Sequence, residues 1–204
     1  MFNIGKDSTG IVVADGVKYE LGYKDCLYIT QGTKEVTFAS ADPEHPAKFY
    51  MVSAPAHCAY ETRLIKMADA NHRPLGSVET CNKRTINQFI HPDVLKTCQL
   101  SMGMTELDPG SNWNTMPSHT HERRMEIYTY FELPEGRWCS TCAVSYPDPP
   151  YRDAQRGCCH QPLLGASTAV SAPRTIRSSG LWAAKTWSLT TWITSLPPTC
   201  AKHK

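Results

Sequence analysis

Short runs that alternate apolar and polar residues, broken by glycine, proline and aspartate, fill the first part of the chain. Gly10-Ile-Val-Val-Ala-Asp-Gly16 ends in an Asp-Gly pair, a strong short-range hairpin signal, and Val17-Lys-Tyr-Glu-Leu21 supplies the returning strand. Asp25-Cys-Leu-Tyr-Ile29, a turn at Gly32, Glu35-Val-Thr-Phe38 and Lys48-Phe-Tyr-Met-Val52 continue the series. Strands this short and this closely spaced predict a barrel or sandwich, so the expected class is all-β. From about Pro55 to Arg84 the pattern fades into a polar stretch that reads as a connection. A second set of strands begins within Thr97 to Leu107 and resumes as the alternation Glu126, Tyr128, Tyr130.

The chemistry concentrates where that second set begins. His119 and His121 are two apart, so on an extended strand both imidazoles point to one face, and Glu126 follows within the same eight-residue window. The odd offset between His121 and Glu126 requires Glu122, Arg123 and Arg124 to turn or bulge before the strand resumes. Two imidazoles and a carboxylate leave coordination positions open on Zn2+ or Fe2+, as metal-assisted catalysis requires. A histidine pair of this spacing also occurs on surface strands that hold no metal.

The segment Gly110 to Gly136, with these three residues, resembles the first metal motif of the cupins, although the gap from Gly110 to His119 is longer than usual. Longer runs are more specific: Lys83-Arg-Thr-Ile-Asn87, Pro92-Asp-Val-Leu-Lys-Thr-Cys-Gln-Leu-Ser-Met-Gly103, Trp113-Asn-Thr-Met-Pro117 and His119-Thr-His-Glu-Arg-Arg-Met-Glu126. Together they resemble the 4-deoxy-L-threo-5-hexosulose-uronate ketol-isomerase family over about residues 4 to 137. The resemblance implies a bicupin, two β-barrel or jelly-roll domains, with one Zn2+ per subunit in the second barrel and a hexameric homo-oligomer. It implies an aldose-ketose isomerase that interconverts 5-dehydro-4-deoxy-D-glucuronate and 3-deoxy-D-glycero-2,5-hexodiulosonate in the breakdown of pectin and other polyuronides. His119, His121 and Glu126 match three of the family's four zinc ligands. The fourth, a histidine in a segment resembling SWSIHSG, has no counterpart in the chain as written. The expected division is 1–54 for the closing part of the first barrel, 55–96 for the connection, 97–137 for the first half of the metal-binding barrel, and 138–204 for a tail without a domain. The first barrel's earlier strands are expected to be missing from this sequence.

The composition changes abruptly after Arg137. Residues 138–204 contain no Glu, Asn, Phe or Met, yet hold four of the five tryptophans and five of the nine cysteines. Seven Lys and Arg against Asp148 and Asp153 make this stretch +5, whereas residues 1–137 are −3. A disordered basic arm has such a composition. A change of reading frame predicts something narrower. Codons exist for Leu163 to Pro173 that spell SWSIHSGVGT when read from one base earlier. The same offset lets Ala183 to Lys202 spell GENLVFDDMDYITAADLR followed by a stop. Two matches in order, at one offset, lead us to expect a frameshift near Arg137.

Several other residues change the picture little. Cys139-Ser-Thr-Cys142 and Cys158-Cys159-His160 look like thiolate zinc ligands but fall in the suspect stretch without a repeated spacing. Cys26, Cys58, Cys81 and Cys98 are scattered without motif spacing and are expected to be buried or idle thiols. His45, His57, His72 and His91 have no partner at ligand spacing and are expected to be structural or solvated. Arg123 and Arg124 could pair with a substrate carboxylate or form surface ion pairs. Tyr128 can line the pocket or simply pack, and with Glu122 it is a candidate for moving the proton; the base itself is not fixed.

A net charge of +2 gives no strong pull towards nucleic acid. Without a long apolar run or leader, the expectation is a cytoplasmic protein with a small deoxyuronate substrate and no membrane or nucleic-acid partner. The alternatives are a non-catalytic metal- or sugar-binding cupin remnant, or an interaction protein that uses the tail as a basic extension.

Overall fold

The computed structural model describes residues 1–114 and 125–132 and, beyond them, the backbone of the strands named below; side chains are placed for 1–112, 114 and 129–132. The described residues are all β, with no α-helix and a single 3-10 turn at Met67–Asp69. No helix among them is long and apolar enough to cross a membrane. The chain divides into two compact units: Met1–Ala70 with Leu95–Gln99 and Ser188–Lys204, and Asn71–Val94 with Leu100–Trp187.

The first unit contains β1 (Phe2–Asn3), β2 (Gly10–Ala14), β3 (Val17–Leu21), β4 (Cys26–Tyr28), β5 (Val36–Ser40), β6 (Lys48–Ser53) and β7 (Arg63–Ile65). The Asp-Gly signal acts as expected. Ala14 pairs with Val17 across the two-residue loop, and Asp15 and Gly16 both take positive φ, 45° and 84°, as a primed hairpin turn demands. The Asp15 carboxylate accepts the Lys34 and Glu35 amides at 3.0 and 2.9 Å, which fastens the next turn to the hairpin tip. Val12, Leu21 and Phe38 come from one sheet, Leu27 and Phe49 from the other, and with Met1 and Ala47 they form one buried cluster. Each large side chain removed from water in this way contributes about 1.5–3 kcal/mol. Gly10 is required where it stands, because the Phe49 ring occupies the space a Cβ would fill.

Two buried polar residues fix the register of this unit. Asn3 is 0 % exposed; its Nδ2 donates to the carbonyls of Ser8 and Leu21, both at 3.1 Å, and its Oδ1 accepts from the Gly5 amide at 3.0 Å. Asp25 accepts from the Gly22 amide at 2.8 Å, the Met67 amide at 3.0 Å and Lys66 Nζ at 2.9 Å. Its carboxylate is buried while Lys66 is half exposed, so the two backbone donors carry more of the bond's worth than the ammonium does. Asp25→Ala should therefore cost about 2–4 kcal/mol by leaving both amides unpaired, and Lys66→Met under about 1 kcal/mol, as read by urea denaturation. Equal effects would place the stabilisation in the ion pair instead.

The second unit opens with β8 (Asn71–Leu75) and β9 (Arg84–Ile90), an antiparallel pair inside the span expected to be a connection. β8 is exposed and polar, and its Pro74 is tolerated because β8 lies at the sheet edge. Then come β10 (Ser101–Leu107), β11 (Trp113–Asn114), β12 (Met125–Phe131), β13 (Cys139–Val144), β14 (Tyr151–Ala154), β15 (Cys159–His160), β16 (Ser167–Ser171) and β17 (Ser179–Lys185). One sheet has the order β15-β12-β17-β10-β9-β8 and the other β11-β16-β13-β14. Phe89, Ile90, Met102, Met104, Leu107, Tyr130 and Phe131 are buried in this unit.

The last two strands, β18 (Thr190–Ser195) and β19 (Ala201–His203), pair with β6 and β5 of the first unit.

Candidate metal centre

β12 is the element the ligand pattern requires, and it runs from Met125 to Phe131 as the alternation of Glu126, Tyr128 and Tyr130 predicts. Its backbone register places Glu126 opposite Ala184, Tyr128 opposite Trp182 and Tyr130 opposite Gly180 on β17. β17 in turn sets Trp182 against Gly103 and Gly180 against Thr105 of β10. Cross-strand rows therefore run from Tyr128 through Gly103 to Gln88, and from Tyr130 through Thr105 to Ile86. His119, His121, Glu122, Arg123 and Arg124 lie outside the described residues, and Glu126 and Tyr128 are described by their backbone alone.

The strands that carry these rows also hold buried polar residues that the sequence pattern did not single out. Gln88, Thr105, Thr129 and Asn87 are all buried. Asn71 Nδ2 donates to Gln88 Oε1 at 2.7 Å, and Asn87 Nδ2 donates to Glu106 Oε2 at 2.9 Å while its Oδ1 meets His72 Nδ1 at 2.6 Å. Satisfied amides of this kind hold a sheet in one register, because a slip would strand several polar groups at once. Arg84 begins β9 and is buried; Nη1 donates to the Asn82 carbonyl at 2.9 Å, and Nε has no partner among the described residues. Burial lowers its pKa below the usual arginine value. No spacing signal marks Arg84, since an isolated arginine in a strand pattern is ordinarily a surface residue.

The histidines expected to be structural mostly have local partners. His45 Nδ1 contacts Asp42 at 2.8 Å and His91 Nδ1 contacts Asp93 at 3.3 Å. The cysteines divide. Cys26 is fully buried, and burial pushes its thiol up to about 11. Cys58 and Cys98, expected to be scattered, instead meet with their sulfurs 3.2 Å apart, next to His57. Burial acts to raise Cys98, but hydrogen bonds from the Cys58 thiol and from the Cys58 and His57 backbone outweigh it and leave the Cys98 thiol lowered. Reactivity follows the thiolate, so iodoacetamide at pH 8 should label Cys98 well before Cys26 in the folded protein. Peptide mass mapping over time checks the order.

Comparison with known proteins bears directly on this region. The KduI/IolB family profile matches residues 16–136. A 4-deoxy-L-threo-5-hexosulose-uronate ketol-isomerase of Yersinia pseudotuberculosis is 56 % identical over 133 residues, covering 65 % of this chain and 47 % of the relative. Its namesake from Yersinia pestis has the same identity and coverage. The chain thus spans about half the length of the curated relatives it matches. Among solved structures, an IolB-like protein from Salmonella typhimurium superposes with a TM-score of 0.56 at 14 % identity, over 93 % of this chain and 77 % of that one. At that identity the likeness concerns the fold, and the all-β class expected from the sequence is the one found.

Proposed function

Because the chain belongs to the KduI/IolB family, we propose that it descends from a ketol-isomerase of uronate breakdown and that its coding sequence changes frame near Arg137. The identity of 56 % over 133 residues carries the first half of this proposal. The second half is supported by the end of the family match at residue 136, beside the change in composition.

His119, His121 and Glu126 are the proposed metal ligands. Two neutral imidazoles and a carboxylate are a donor set that suits zinc. Bound there, zinc would supply Lewis-acid polarisation of a substrate carbonyl. The protein's own task is to move a proton between the two adjacent carbons, and Glu122 and Tyr128 are the proposed candidates for holding it. Arg123 and Arg124 would orient the uronate by paired hydrogen bonds to its carboxylate. The substrate class is 5-dehydro-4-deoxy-D-glucuronate and its ketose isomer. A cytoplasmic homo-oligomer is the proposed setting.

As written, the chain offers three of the four expected ligands, so its activity is impaired and it behaves as a metal-binding remnant. Resequencing the coding DNA from Pro134 past Lys204 tests the frame: one added or lost base must restore SWSIHSG and the acidic ending. An isomerisation assay on zinc-loaded protein with the restored frame tests the activity. No conversion by a folded, zinc-bound, frame-restored protein would overturn the functional assignment.

A further inference from the structure

The first unit contains a cluster that neither the isomerase chemistry nor its ligands use. His57 and Cys58 lie on the loop between β6 and β7, and Cys98 on the segment Leu95–Gln99, which belongs to the same unit. One ligand atom from each of the three residues lies within 4.8 Å of the other two, and the two sulfurs are 3.2 Å apart. We propose that His57, Cys58 and Cys98 form a second metal site, a Cys2His site for Zn2+ with one coordination position open to solvent.

Geometry supports this first. A tetrahedral zinc, about 2.3 Å from sulfur and 2.0–2.1 Å from nitrogen, spaces its ligand atoms roughly 3.5–3.8 Å apart. The observed separations, from 3.2 Å between the sulfurs to at most 4.8 Å, bracket that range, so metal entry needs shifts of about half an ångström to one ångström at side-chain ends. Two thiolates with an imidazole select zinc over magnesium, calcium or manganese, whose ligands are oxygens.

The supporting shell is the second observation. The His57–Cys58 loop is held on both sides by its neighbours. Gln99 Nε2 donates to the Pro55 carbonyl at 3.3 Å, and the Tyr60 amide donates to Thr30 Oγ1 at 3.0 Å. The Thr30 amide donates in turn to Thr62 Oγ1 at 3.1 Å. With its amide oriented to suit its neighbours, Gln31 donates to the Ala56 carbonyl at 2.6 Å and accepts from the Ala59 amide at 3.2 Å. The Cys58 amide donates to Cys98 Sγ at 3.4 Å, and the Cys98 thiol to the Cys58 carbonyl at 3.1 Å, which holds the Cys98 sulfur against the Cys58 backbone. A loop braced this closely keeps its ligands in place before the ion arrives, which is the requirement of a built site. His57 is exposed and both cysteines are half-buried, so the ion has a path in. Binding releases the two thiol protons to solvent and involves no change of oxidation state.

Cobalt reports this site apart from the isomerase centre, because only thiolate ligands give Co2+ a near-ultraviolet charge-transfer band. Reduced, anaerobic full-length protein titrated with Co2+ should develop that band, and Zn2+ should abolish it by displacement. Cys58→Ser and Cys98→Ser should each remove it, and His57→Ala should weaken Co2+ binding by about tenfold or more. Replacing Cys139, Cys142, Cys158, Cys159 and Cys200 with serine should leave it intact, as should His121→Ala. The metal-free melting temperature of each serine variant shows whether it is folded. If Cys98→Ser is not folded, Cys58→Ser provides the same readout. A band that persists in both serine variants, or that vanishes with the tail cysteines, overturns the proposal. Failure of the folded, reduced protein to take up cobalt with this band also overturns it.

Discussion

Restoring the reading frame after Arg137 should raise isomerisation of 5-dehydro-4-deoxy-D-glucuronate by about a hundredfold or more over the chain as it stands, with zinc supplied to both. The bound comes from metal sites in general: loss of a group that merely supports a ligand already costs 10–100-fold in affinity or activity. A ligand itself matters at least as much. The chain as written carries His119, His121 and Glu126 but no SWSIHSG segment to bring a further imidazole. In the restored chain, His121→Ala should return activity to the level of the unrestored one, because either change leaves a site one imidazole short. Bound zinc, measured after gel filtration, should follow the same order. Equal activity before and after frame restoration would mean that three ligands suffice, and the composition break at Trp138 would then need another explanation.

The legible parts of the sequence were those where local chemistry decides the structure. Asp15-Gly16 dictates a primed turn whatever lies around it, and the strands on either side follow from the two-residue loop. The alternation of Glu126, Tyr128 and Tyr130 likewise placed β12. β8 escaped notice because Asn71-His-Arg-Pro-Leu75 is exposed at a sheet edge and has no apolar face to alternate with a polar one. Its partner β9 begins at Arg84, where a polar run ends, so the hairpin was hidden by polarity on one side. The Cys58–Cys98 pair was illegible for a different reason. The two residues are 40 apart, and only the return of Leu95–Gln99 to the first unit brings them together. Spacing rules detect ligands on one strand or one turn and are silent about contacts made by long-range folding.

Phe49→Ala should destabilise the first unit by about 3–5 kcal/mol, the range for emptying a buried aromatic position. Phe49 is 4 % exposed, packs at 5.5 Å against the Phe38 ring, and covers Gly10 on the neighbouring sheet, so its loss opens a cavity between the two layers. Gly10→Ala alone should also destabilise, by about 1–3 kcal/mol, because its methyl would overlap the Phe49 ring and that ring has little room to retreat. The informative experiment combines them. Once Phe49 is alanine, the obstruction above position 10 is gone, and the next atom a Cβ there would meet is the Ala47 methyl at 3.4 Å, close to ordinary contact. A strand glycine replaced by alanine then gains about 0.5–1 kcal/mol from the lower entropy of the unfolded chain. Gly10→Ala should therefore be harmful in the parent and neutral or mildly stabilising in the Phe49→Ala background. That reversal of sign gives a coupling of about 1.5–4 kcal/mol, measurable by urea denaturation of the four proteins. Additive effects would show that Gly10 is constrained by its backbone rather than by the ring above it.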